Sequence, residues 1–244
     1  MTTHEKKLID HKISSAVGRE EAYRRLEARE PLAYILGEWY FYDETYRITP
    51  DVLIPRPDTE LLVESAIKRV PRGGIFADLC TGSGCVAISV LCHRPDLRAV
   101  AVDISVAAIN IARENAVING VEGRVSFLCA DIAAKSFADH LTNGLKLKFD
   151  ALLSNPPYIK TDVIRNLEKE VLAEPGIALD GGEDGLYFYR ILKNLRHHLL
   201  NRGAITLLEI GYDQAKSVCN LFGGGEILKD YGGNDRVFVL YETI

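Results

Sequence analysis

From residue 75 onward, short apolar runs alternate with amphipathic stretches, and no other feature restricts the fold as much. Residues 75–79, 99–102, 125–128, 149–154 and 204–210 read as strands, and 84–93, 106–119, 185–200 and 213–222 as helices. Residues 226–230 and 236–241 can close an antiparallel hairpin around Gly232-Gly233-Asn234. Repeated β-α-β units imply an α/β, Rossmann-like architecture: a mostly parallel seven-stranded sheet with helices on both faces, ending in that hairpin. In such sheets ligands bind beyond the carboxyl ends of the strands, and every chemical candidate below falls on that edge.

Upstream, residues 4–30 are helical in pattern and charge-mixed, and Gly18 is expected to divide them into two short helices. Residues 39–42 and 46–48, separated by Asp43-Glu44-Thr45, look like a β-hairpin whose aromatic stripe serves packing. The prolines of Ile54-Pro55-Arg56-Pro57-Asp58-Thr59-Glu60 fix an extended approach, after which Asp58 or Thr59 is expected to cap a helix. Arg56 between two prolines is either an ion-pair partner for the loop or a group aimed into a cleft. The expected division is a helical segment at 1–30, a linker with hairpin and Pro-Arg-Pro loop at 31–60, and the main domain at 61–244.

The 244 residues are 47% hydrophobic and 26% charged, enough to bury one large core. A net charge of −5 argues against a face built for duplex phosphate. No run approaches a membrane span and the start is polar, so a cytoplasmic protein is expected, with no membrane or stable nucleic-acid partner. Five cysteines without a Cys-x-x-Cys pair point to reduced, mostly buried thiols, neither a disulfide framework nor a metal site. His197 and His198, adjacent on a helix, point apart and suit its C-terminal dipole better than a shared ion.

Ser154-Asn155-Pro156-Pro157-Tyr158-Ile159 ends the fourth strand of the main domain, because the two prolines cannot continue its ladder. Asn155 thereby offers a carboxamide at the sheet edge, Pro156 a backbone carbonyl without a competing N–H, and Tyr158 a flat ring. Two acceptors and a platform suit a planar NH2 group, although a rigid turn alone would also explain the residues. On the first strand, Asp78-Leu79-Cys80-Thr81-Gly82-Ser83-Gly84 turns into a helix whose first amides are donors. The Gly82, Gly84, Ala87 spacing overlaps a dinucleotide fingerprint, but a carboxylate at Asp78 suits an ammonium group better than a pyrophosphate. Asp103 ends the second strand, where an acid can accept both hydroxyls of a ribose, and Asp131 follows the third, within reach of an adenine amino group.

With these residues in place, the sequence resembles the class I S-adenosylmethionine-dependent methyltransferases. More narrowly it resembles the PrmC/HemK family, which methylates a glutamine side chain in peptide chain release factors. The likeness is carried by residues 31–37, 54–62, Asp78-x-x-Thr81-Gly82-Ser83-Gly84, 101–105, 154–159, Leu179-Asp180-Gly181-Gly182-Glu183-Asp184-Gly185-Leu186 and Leu208-Glu209-Ile210-Gly211. It covers residue 31 to the C-terminus. Three departures stand out: Cys80 where a glycine is usual, Ile132 where some members carry an aromatic, and a segment before residue 31 shorter than the family's helical bundle.

The resemblance implies S-adenosyl-L-methionine held by Asp78, Cys80, Thr81, Gly82, Ser83, Gly84, Asp103, Ile104, Asp131, Ile132 and Asn155. It implies a Gly-Gly-Gln glutamine of a release factor seated by Asn155, Pro156, Pro157 and Tyr158, with Arg56 close by. Asn155, Pro156 and Tyr158 would then be the catalytic set. Competing readings are an exocyclic-amine methyltransferase of DNA or RNA, which shares Asn-Pro-Pro-Tyr, and a non-catalytic binder of release factors or ribosomal proteins. A dehydrogenase fits worst.

Overall fold

A computed structural model describes residues 2–242. Its main sheet has seven strands: β3 (Ile75–Leu79), β4 (Arg98–Asp103), β5 (Val125–Cys129), β6 (Phe149–Ser154), β7 (Leu200–Glu209), β8 (Glu226–Lys229) and β9 (Asp235–Tyr241). The spatial order is β5-β4-β3-β6-β7-β9-β8, parallel throughout except for β9, which runs antiparallel to both β7 and β8. A two-stranded hairpin, β1 (Glu38–Phe41) and β2 (Glu44–Arg47), stands apart from it.

Alternation along the strands explains the layering. On β4, Ala99 and Ala101 enter one core layer while Val100 and Val102 enter the other. The first layer is covered by the helices Glu60–Arg69, Cys85–His93 and Val106–Ile118, and the second by Tyr187–Leu199 and Ala215–Phe222. Both faces of the sheet are therefore dry, which is why its central strands read as unbroken apolar runs.

Three local expectations need correction. The N-terminal segment does form two helices, Thr3–Lys12 and Ala16–Glu27, but Gly18 lies inside the second. The break falls at residues 13–15, where Ser15 Oγ accepts from the Gly18 amide at 3.0 Å and supplies the N-cap. The hairpin turns at Tyr42-Asp43 rather than over three residues, with Tyr42 held at φ 58°. Of the five thiols Cys85 is buried, Cys80, Cys92 and Cys219 are half-buried, and Cys129 is exposed.

The hairpin's aromatics do pack: Phe41 and Tyr46 are buried, edge to face with ring centroids 6.1 Å apart. Tyr46 also reaches the Ser89 hydroxyl at 2.7 Å. Asn115, fully buried, donates to the carbonyls of Arg47 and Ser83, joining the hairpin to the turn after β3. Among the described residues no helix is long and apolar enough to cross a membrane.

Candidate active site

A cavity of about 280 Å³ opens at the carboxyl ends of β3, β4, β5 and β6. It lies where the chain order reverses across the β3–β6 pair, the place at which two connections diverge from a parallel sheet and leave a crevice.

The turn after β3 forms its floor. Gly82 (φ +54°) and Gly84 (φ +82°) lie in the left-handed region. A Cβ on Gly82 would meet nothing within 4 Å, whereas one on Gly84 would press on Ala112 at 3.1 Å. Gly82 thus gives backbone shape, and Gly84 also gives close helix packing. Cys80 shares this conformation at φ +63°, where the usual family glycine would carry no penalty. Burial pushes its thiol far above the ordinary range, so it is no nucleophile at neutral pH.

Three acids stand around this floor. Asp78 is 1% exposed, accepts from the Thr81 hydroxyl at 2.6 Å, and is pushed by burial up to about 7. Asp103 accepts from the Gly82 amide through Oδ2 and from the Ser105 amide through Oδ1, each at 2.9 Å. Burial raises its pKa while those amides pull it back. Asp131 accepts from the Ala133 amide at 2.8 Å through Oδ1. Each acid thus helps fold its own loop and keeps lone pairs toward the cavity, a wall that favours a cationic, multiply donating ligand.

Asn155 sits on the opposite wall. Its Nδ2 donates to the Thr59 hydroxyl at 3.2 Å, which leaves Oδ1 as the free end of the carboxamide. Ser154 Oγ donates to the Leu79 carbonyl at 2.6 Å and ties the ends of β6 and β3 together. Beyond the turn, Ile159 exchanges hydrogen bonds with Leu179 and Gly181 at 3.0 and 2.8 Å, so the Leu-Asp-Gly-Gly stretch buttresses Asn-Pro-Pro-Tyr. Gln214 Nε2 donates to the Tyr158 carbonyl at 3.0 Å from the other side.

The cavity wall includes Arg56, Asp78, Cys80, Thr81, Gly82, Ser83, Asp103, Ile104, Asp131, Ile132, Asn155 and Pro157. Gly84 stands one position behind, as the residue preceding the helix Cys85–His93. Pro156 and Tyr158 are not brought to the wall. The Tyr158 hydroxyl donates to Glu209 Oε1 at 3.3 Å, and its ring packs on the second core layer. Arg56 unites the two roles the sequence left open: it lines the cavity and pairs with Glu174, whose carboxylate also accepts from the Ile54 amide at 3.1 Å.

Several members of the site were missed from sequence. Thr59 does not cap its helix, and its hydroxyl serves Asn155 instead. Asp58, the other expected cap, pairs with Arg236 at 3.0 Å. Glu209, 1% exposed, is pushed by burial up to about 7, with the Thr59 hydroxyl, Arg236 and Tyr158 pulling the other way. Tyr187 and Phe188 form part of the wall as an edge-to-face pair 5.1 Å apart. The signals present were the motif stretches around Thr59 and Glu209 and an aromatic pair beside the glycines.

The description "Methyltransferase small domain" matches residues 57–202. The release factor glutamine methyltransferase of Thermodesulfovibrio yellowstonii is 43% identical over 232 residues, covering 90% of this chain and 79% of that one. The protein of the same name from Moorella thermoacetica is 40% identical over 244 residues, covering 96% and 83%. Among solved structures, the release factor-specific protein-(glutamine-N5) methyltransferase of Alicyclobacillus acidocaldarius aligns at TM-score 0.50 and 31% identity, over 82% of this chain and all of that one. A ribosomal protein L11 methylase from Lactobacillus delbrueckii aligns at TM-score 0.53 but 20% identity, over 82% of this chain and 86% of that one, a likeness of fold alone.

Proposed function

The chain belongs to the release factor glutamine methyltransferases, and from that premise we propose that it methylates the N5 amide nitrogen of the Gly-Gly-Gln glutamine in class I release factors. The observation that carries the reading is one cavity walled by three strand-end acids and by the free Oδ1 end of Asn155. S-adenosyl-L-methionine is the methyl donor in this reading, and when bound it supplies an activated methyl carbon. The wall suits it. Asp78, buried and raised, gains from an ammonium partner; Asp103 can accept from ribose hydroxyls; Asp131 can accept from an adenine amino group.

The protein's own work is placement. Asn155 Oδ1 accepts one N–H of the substrate amide, and the other goes to the Pro156 carbonyl, which is set back between the wall residues Asn155 and Pro157 and is reached only by a substrate amide seated deep against them. An amide nitrogen is a poor nucleophile because its lone pair is delocalised. Holding both hydrogens aims that nitrogen, and the two acceptors strengthen as positive charge develops on it. Orientation of this kind supplies on the order of 7–11 kcal/mol in well-arranged cases. No dedicated base is needed, since an N-methylated, protonated amide is strongly acidic. Pro157 and Phe188 give the cavity apolar walls that keep water from the transfer.

Asn155→Ala tests the reading. Transfer of labelled methyl to a release factor carrying Gly-Gly-Gln should fall about 10²–10³-fold, the scale of losing one oriented hydrogen-bonding group, with S-adenosylmethionine affinity by calorimetry falling far less, because the three acids still hold the donor. A variant working at the wild-type rate, or label found in bulk nucleic acid instead of the factor, refutes it.

A further inference from the structure

We infer that Thr59 and Glu209 are positioning residues that set which end of the Asn155 carboxamide faces the acceptor. This rests on the role given to Asn155 above. The two ends of an asparagine amide have nearly the same shape, yet one accepts and the other donates. Rotated by half a turn, Asn155 would present an N–H to the incoming amide and repel it.

Among the described residues the only side-chain partner of Nδ2 is the Thr59 hydroxyl, at 3.2 Å. A hydroxyl can itself donate or accept, so Thr59 alone does not settle the choice. Its proton needs a fixed destination. Thr59 is 1% exposed, so bulk water does not take that proton, and its oxygen is not engaged by a capping amide of its own helix. Glu209, equally buried, is brought beside it by the chain on either side: Asp58, next to Thr59, pairs with Arg236 at 3.0 Å, and Arg236 donates to the carbonyl of Ile210, next to Glu209, at 3.5 Å. One of its oxygens, Oε1, receives the Tyr158 hydroxyl, and the other, Oε2, has no hydrogen-bond partner. A buried acceptor without a donor is costly, and a neighbouring hydroxyl turned toward it removes the cost. With its proton committed to Glu209, Thr59 shows Asn155 only a lone pair. Nδ2 must then face inward and Oδ1 the cavity.

The loop that carries Thr59 is held on both sides. Arg56 pairs with Glu174 before it, and Asp58 pairs with Arg236 at 3.0 Å. Arg236 is anchored in turn on Asp230 at 3.2 Å. The loop is therefore tied to Glu174 and to the start of β9, which fixes the hydroxyl as a relay requires.

Thr59→Val keeps the side chain's volume and deletes the hydroxyl. The turnover number for methyl transfer to a Gly-Gly-Gln release factor should fall about 10–100-fold, the scale of a small misplacement of a reacting group. Affinity for S-adenosylmethionine by calorimetry should stay at the wild-type level, showing that the variant is folded, and Thr59→Ser should restore most of the turnover. Glu209→Gln, which can offer Thr59 a donor, should also lower turnover. Because the relay acts only through Asn155, Thr59→Val should add nothing to an Asn155→Ala background, and Glu209→Gln nothing to Thr59→Val. Losses that multiply in these pairs overturn the relay in favour of a packing role. If Asn155→Ala is dead while Thr59→Val works normally, the relay is wrong and the acceptor assignment stands. If Asn155→Ala is itself active, both fall together.

Discussion

Replacing Glu174 with Ala should unlatch the Pro-Arg-Pro loop, and its cost can be assembled from the groups left behind. The Glu174 side chain is 2% exposed and serves two donors, the Ile54 amide at 3.1 Å and the Arg56 guanidinium. Ile54 is buried, so its amide loses its partner without gaining water, at about 1–3 kcal/mol. Arg56 is 37% exposed in its side chain and recovers hydration, so the lost pair adds only ~1 kcal/mol. The total is about 3 kcal/mol, which moves a urea midpoint by about 1 M at a slope of ~3 kcal/mol per M. Glu174→Gln keeps an acceptor for the amide and should lose about 1 kcal/mol. Urea unfolding of both variants beside methyl transfer to a release factor checks the reasoning. The Ala variant should also lose turnover, because the same loop carries Thr59. Unfolding midpoints for Ala and Gln that coincide with the wild type refute it.

Two further outcomes follow from the site and its surroundings. Asp103→Ala removes two acceptors for a ribose and the anchor of the Gly82 amide, so affinity for S-adenosylmethionine should drop by about 2 kcal/mol or more, roughly 30-fold; equal affinity by calorimetry would contradict the assignment. His93 meets the Ser89 carbonyl and the Asp43 carboxylate at 3.0 Å each; burial lowers its pKa, but these acceptors and Glu44 outweigh it and leave it raised. The folded state therefore favours the imidazolium, and its contribution should be fully present below about pH 6.5 and fade as pH rises through the raised value. A stability difference between wild type and His93→Gln that does not shrink over that window would count against it.

Much of this site could be read from the chain because its parts sit at strand ends, and strand ends are marked locally. Prolines after β6, glycines after β3 and an acid closing β4 are each legible within a few residues. What stayed hidden depends on side chains meeting across long separations. Thr59 looked like a helix cap because its sequence neighbours suit one, yet Asn155, 96 residues away, claims the hydroxyl. Glu174 and Glu209 gain their meaning only from partners far off in sequence, Ile54 and Arg56 for the first and Tyr158 for the second. Tyr158 was read from its neighbours as part of the cavity, but Glu209, 51 residues on, holds its hydroxyl away from it. The helix break at 13–15 was missed for a smaller reason: Ser15 stabilises a helix start more strongly than Gly18, one turn in, weakens it.

The side-by-side run of β3 and β6 has an evolutionary consequence. In the proposed reading the three acids that would hold the methyl donor hang from β3, β4 and β5, and Asn155, which would seat the recipient, hangs from β6, one interstrand spacing of about 4.8 Å from β3. The two inventories share a single seam. Substitutions on the recipient's side can therefore accumulate, and new recipients be tried, while the donor's berth is passed on unchanged.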